Sequence, residues 1–221
     1  MNTKKAGGLS ALYAGCAYIF GFAVLLLFLS PEHAEGWSRE QHLAFLLDNN
    51  TLVHIWNSVI YTVFGIALIF LTLALDARIA PTQSIFKSTA KILGFIWAGL
   101  LIASGMIANV GMGKVATLVT SEPDMAIQLW QTLGVIQDGL GGGVEVIGGL
   151  WVFMLSIIAL KTGIFPKIFN WFGLIVGTAG LITILPGLGQ FGAIFGLGQI
   201  VWFLWLSGLF FKESPEAIGN G

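Results

Sequence analysis

Phe22-Ala-Val-Leu-Leu-Leu-Phe28 decides the fold class. A membrane β-strand alternates apolar and polar side chains, and this run does not alternate. It lies within an apolar stretch from residue 8 to 29, enough for the ~20 residues that carry a helix across a hydrocarbon core. Further stretches of the same kind lie near 52–75, 92–112, 142–160, 168–186 and 191–211. Of the 221 residues 56% are hydrophobic and 10% charged, with a mean hydropathy of +0.88. A soluble domain carries about a quarter charged residues, so this chain cannot cover a water-facing surface. The sequence predicts an all-α, polytopic transmembrane bundle of six spans in a single domain, 1–221. The first span is too long, and Ser30-Pro31-Glu32 too unlike a small-residue cleavage site, for a secretory signal, so it is expected to stay in the mature protein.

Lysine and arginine set the orientation. Lys4, Lys5, Arg78, Lys87, Lys91, Lys161, Lys167 and Lys212 fall on one side of the six spans, and only Arg39 and Lys114 on the other. That split predicts both termini in the cytoplasm. Glu32, Glu35, Glu40, Asp48, Glu122 and Asp124 then lie outside. No inner loop approaches the ~50 residues of a small soluble domain, so any activity resides in the membrane or at its surfaces. The outer loops read as short interfacial helices. Ser38-Arg-Glu-Gln41 is a capping-box pattern, Asn49-Asn50 ends that helix, and Met125 to Leu140 is similarly amphipathic.

The formal charge of −1 leaves no basic footprint, so no nucleic-acid partner is expected. The lone Cys16 forms neither an intrachain disulfide nor a thiolate cluster. Gly187-Leu-Gly189-Gln-Phe-Gly192 matches a dinucleotide fingerprint in letters only: it lacks the preceding strand and reads as a hairpin between two spans. Only His54 of the three histidines sits at a span. Haem ligation within the bundle is therefore not expected, and His33, His42, Glu32 and Glu35 have no metal-ligand spacing. No cofactor and no metal are predicted. Trp97, Trp151, Trp202 and Trp205 lie deep in their spans and read as packing, with a flat quinone site as the alternative.

Gly173 and Gly177 in the fifth span, and Gly192 and Gly196 in the sixth, are small residues four apart. Such faces let helix backbones approach closely in lipid. They predict packing of spans five and six against each other, with a dimer face as the lesser alternative. Gly141-Gly142-Gly143 interrupts a helix-compatible stretch too long for one span, as a plain break or a hinge.

The candidate site rests on polar residues at membrane depth. His54, Asn57, Ser58 and Tyr61 follow i, i+3, i+4, i+7 and form one stripe on span two. Asp138 and Glu145 are one heptad apart, Glu145 lies about one turn inside span four, and Gln199 is near the middle of span six. Ionisable groups in lipid are costly and face a cavity or a partner. The expectation is an outer-leaflet pocket in which the stripe faces Glu145, with Gln199 at the floor. The competing reading keeps Glu145 at the dipole of its helix and lets His54 snorkel to the interface.

Lys161-Thr-Gly-Ile-Phe-Pro166-Lys-Ile-Phe-Asn-Trp-Phe-Gly173-Leu-Ile-Val-Gly177, with the opening Gly8-Leu-Ser-Ala-Leu-Tyr13 and the second inner loop, resembles the domain-of-unknown-function 4386 family. The likeness covers most of the chain. It implies a small six-span protein of a bacterial inner membrane, and it implies no activity and no ligand residues. Two functions compete. One is binding or translocation of a small solute, ion or proton; transport by so few spans would call for a homo-oligomer. The other is an interaction, sensory or accessory subunit whose polar stripe only joins helices. An intramembrane enzyme ranks third, because no nucleophile–base pair is visible.

Overall fold

The computed structural model describes residues 2–31, 34–79 and 84–212. Among them there is no strand. Helix α1 (Thr3–Val24) continues into a wide π-helical turn, Leu25–Leu29. The amphipathic α2 (Arg39–Asp48) precedes α3 (Asn50–Asn57), which runs through a second π-helical turn, Ser58–Val63, into α4 (Phe64–Arg78). Helix α5 (Ile85–Leu118) has 34 residues, and α6 (Pro123–Gln137) folds back along its end. Helices α7 (Val146–Thr162), α8 (Lys167–Ile182) and α9 (Phe191–Lys212) follow.

Among the described residues, five helical stretches are long and apolar enough to cross a membrane: Thr3–Leu29, Asn50–Arg78, Ile85–Leu118, Pro123–Thr162, which is interrupted at its glycine triplet, and Phe191–Lys212. The 16 residues of α8 rise only ~24 Å, short of a ~30 Å hydrocarbon core.

Local signals set several boundaries. The Ser38 hydroxyl accepts from the Gln41 amide (3.3 Å), and the Gln41 side chain accepts from the Ser38 amide (2.8 Å), which starts α2. The same hydroxyl holds the exposed Glu40 carboxyl below its usual range. A break falls in the glycine triplet, where Gly141 takes φ 116°, a left-handed conformation that favours glycine. Glu145 therefore begins a new helix, and the heptad linking it to Asp138 is interrupted.

Small residues govern the packing, but with different partners from those expected. A Cβ built on Gly177 would lie 2.8 Å from both the Gly149 carbonyl and the Phe153 amide of α7. Gly180 meets the Gly149 Cα of α7 and the Phe195 ring of α9 at 2.8 Å, and Gly173 lies between Ser156 of α7 and the Trp202 indole of α9. The glycine face of α8 thus closes on α7, across the four-residue turn 163–166. Helix α9 packs mainly on α1, where Gly196 meets the Phe22 ring and Gly15 meets Leu204. Gly192 touches little: its nearest atom is Thr183 Cγ2 at 3.9 Å. The expected packing of α8 on α9 is present at Gly173, but Gly177 closes on α7 and Gly196 on α1, because Gly149 offers α8 a closer backbone than α9 does.

The two ends of the bundle differ. At the end bearing Thr3 and Lys212, Asp76 pairs with Lys91 (2.8 Å) and Lys87 (3.7 Å). The Arg78 guanidinium lies over the Phe165 and Phe210 rings (4.8 and 5.0 Å). At the far end a second apolar cluster joins Leu43 of α2 to Val115 and Leu118 of α5 and Ala126 and Leu133 of α6. Helix α6 is therefore one arm of a cap built on the projecting end of α5. The amphipathic stretch expected over Met125–Leu140 thus supplies most of α6.

Candidate functional site

A cavity of about 360 Å³ opens at the far end of the bundle. The last turns of α1 form one wall, with Tyr18 and Phe22, and the second π-helical turn forms another, with Trp56 and Tyr61. The glycine break brings Gly141–Gly143 and Glu145 to its rim, and the start of α9 adds Gly192, Ala193 and Gly196. Glycines at these positions keep the walls back from the space. Gly142 would carry a Cβ 3.1 Å from the Tyr61 hydroxyl, so that side of the cavity has no room for a side chain.

The π-helical turn matters to the geometry. Widening the helix frees carbonyls from their i−4 partners, and the Val59 carbonyl accepts from the Tyr13 hydroxyl (3.0 Å). Trp56 donates its indole N–H to the Gly21 carbonyl (3.0 Å) and meets the Tyr61 ring edge to face at 6.2 Å. These contacts fix two aromatic walls of the cavity against α1.

Glu145 is half-buried at the cavity edge. Its backbone amide donates to Thr183 Oγ1 (2.9 Å), which ties the break to the end of α8. Its carboxylate has no hydrogen bond or ion pair among the described residues. The groups within its electrostatic reach are the Tyr18 and Tyr61 hydroxyls. Among the described residues no lysine, arginine or histidine lines the cavity.

The expected stripe on span two divides among three partners. Tyr61 lines the cavity with Glu145. His54 does not: its Nδ1 lies 2.9 Å from the Asn50 carbonyl and its Nε2 3.2 Å from the Asn109 carbonyl of α5. Ser58 donates to the His54 carbonyl (2.7 Å) and accepts from the Asn109 amide (2.9 Å). Asn57 is buried and accepts from Gln137 of α6 (3.4 Å). In an ideal helix Asn57 and Ser58 already point ~100° apart, and the wide turn shifts the residues after it further. One sequence stripe therefore meets α5, α6 and the cavity in turn. His54 and Ser58 join α3 to α5.

Asp138 is exposed outside the cavity lining, within electrostatic reach of Tyr61. Gln199 is fully buried in α9 and does not reach the cavity lining; neither of its amide atoms has a hydrogen-bond partner among the described residues. Sequence reasoning missed Asn109, Trp56 and Tyr18. Asn109 is a lone polar residue in an apolar span, a signal of the same kind as Gln199.

Away from the cavity the core is filled by rings. Phe64, a cavity wall, contacts Trp97 (5.9 Å), and the series continues through Trp151 (5.5 Å), Trp202 (5.8 Å) and Phe169 (5.5 Å) to Phe165 (5.5 Å) under Arg78. Trp97, Trp151 and Trp202 are almost fully buried. The cavity is thus closed toward the end that carries the termini. Among the described residues no three His, Cys, Asp or Glu side chains group as a metal site would need. No protein-family description, curated protein or solved structure matches this chain.

Proposed function

We propose that this chain is a six-span protein of a bacterial inner membrane, with both termini in the cytoplasm, which binds a small solute in the Glu145 cavity from the outer side. The observation that carries the reading is a carboxylate at the start of an apolar helix, beside a cavity, with no base to neutralise it among the described residues. Such a group is costly in lipid unless a ligand, a proton or water meets it.

Three features support the topology. Helix α8 exposes Ile168, Trp171 and Ile175 along one face, as a lipid-facing helix does, and the 163–166 and 183–190 connections add length at its ends. The eight-to-two split of Lys and Arg directs the terminal end inward. The likeness to the domain-of-unknown-function 4386 family points to the same span count. Because the aromatic series fills the bundle below the cavity, the arrangement supports binding more directly than passage. The His54–Ser58–Asn109 contacts favour a helix-joining role for that half of the stripe.

Single cysteines test orientation and access together, in a background with Cys16 replaced by serine. Thr3→Cys is expected to stay unlabelled by an impermeant maleimide added outside sealed right-side-out vesicles. Ala193→Cys in the cavity is expected to react, and Gly99→Cys on the outer face of α5 to stay unreactive. Outside labelling of Thr3→Cys would reverse the orientation. An Ala193→Cys as inert as Gly99→Cys would close the cavity to the outer side.

A further inference from the structure

Five cavity-lining residues are aromatic: Tyr18, Phe22, Trp56, Tyr61 and Phe64. The one ionisable carboxylate among the lining residues is Glu145. We propose, building on the binding role proposed above, that the cavity takes an organic monocation, a quaternary or protonated amine with a compact apolar body.

Among the described residues Glu145 has no basic partner, and a further acid, Asp138, lies close enough to act on Tyr61 and adds to the negative field. An anion is repelled from such a place. A hard metal cation asks for several oxygen ligands, and one carboxylate among rings and glycines does not supply them. Aromatic faces carry partial negative charge and attract an ammonium whose hydration has been stripped away. A carboxylate and a set of ring faces together recognise a cation that is itself largely apolar.

The lipid surroundings sharpen the point. A neutral apolar molecule gains little on leaving lipid tails for an apolar cavity, because the two environments are alike. Selective occupancy therefore has to come from charge. The volume of about 360 Å³ suits a one-ring ammonium, near the small end of ligand pockets. Gly142, Gly192 and Gly196 provide that space without polar side chains that would compete for Glu145.

Phenyltrimethylammonium and tert-butylbenzene have nearly the same shape and differ by one charge. Each is titrated against the purified Ala193→Cys protein in detergent, and its protection of the cysteine from maleimide is read. The cation is expected to protect at a concentration at least tenfold lower than the neutral probe, and Glu145→Gln is expected to erase that difference. Equal protection by the two probes, or a cation preference that survives Glu145→Gln, would overturn the cation assignment while leaving a binding cavity in place. Protection by neither probe would count against the binding role as well. If Glu145→Gln does not fold, the comparison of the two probes on the parent protein decides alone.

Discussion

Gly177→Ala is expected to lower the unfolding free energy of the purified protein by at least about 1–3 kcal/mol, the usual cost of overpacking. The added methyl meets the Gly149 carbonyl and the Phe153 amide at 2.8 Å, and both are backbone atoms of α7 that no rotamer change can move. The α7–α8 hairpin has to open to admit it. Gly99→Ala is the control, since a Cβ there meets nothing within 4 Å and alanine suits a helix better than glycine. Thermal unfolding in detergent reads both. A melting temperature that falls for Gly177→Ala and holds or rises for Gly99→Ala supports the packing, and equal temperatures contradict it.

Trp151→Ala is expected to cost more, about 3–5 kcal/mol, the range for removing a fully buried large aromatic side chain. Its indole has no exposed surface and stands between Trp97 and Trp202, so its loss leaves a void in the centre of the bundle. Lipid weakens the solvophobic part of that cost but not the lost contacts with neighbouring atoms. Trp171, 61% exposed on α8, provides the comparison: Trp171→Ala is expected to change little. Denaturation in mixed micelles checks both. Similar losses from the two substitutions would mean that the aromatic series is not the core.

The fold was legible where one local signal sufficed. The capping box at Ser38–Gln41, the helix end at Asn49 and the break at the glycine triplet depend on residues adjacent in sequence, and each lies in the structure at the residues that signal it. Pairing of helices was less legible. A small-xxx-small pattern announces a close approach but not a partner, and the decisive residue, Gly149, belongs to a different helix from the pattern it meets. The candidate site divides along the same line. Tyr61 and Glu145 share a cavity, as their polar character in apolar helices suggested. His54, Asn57 and Ser58 turn to other helices, because adjacent members of the stripe already point ~100° apart and the π-helical turn that follows, which leaves no mark in the spacing of polar residues, carries Tyr61 further round. Tyr18 and Trp56 escaped notice because an aromatic residue in a span is ordinarily packing or an interfacial anchor.

Native mass spectrometry of the protein released gently from membranes tests the central claim most directly. Ala193→Trp puts an indole into the cavity without substituting Glu145, α7 or the aromatic core. A small-molecule adduct is expected on the parent protein that Ala193→Trp lacks, with the same lipid adducts on both. Identical spectra from the two proteins, showing no ligand beyond shared lipid, would contradict it.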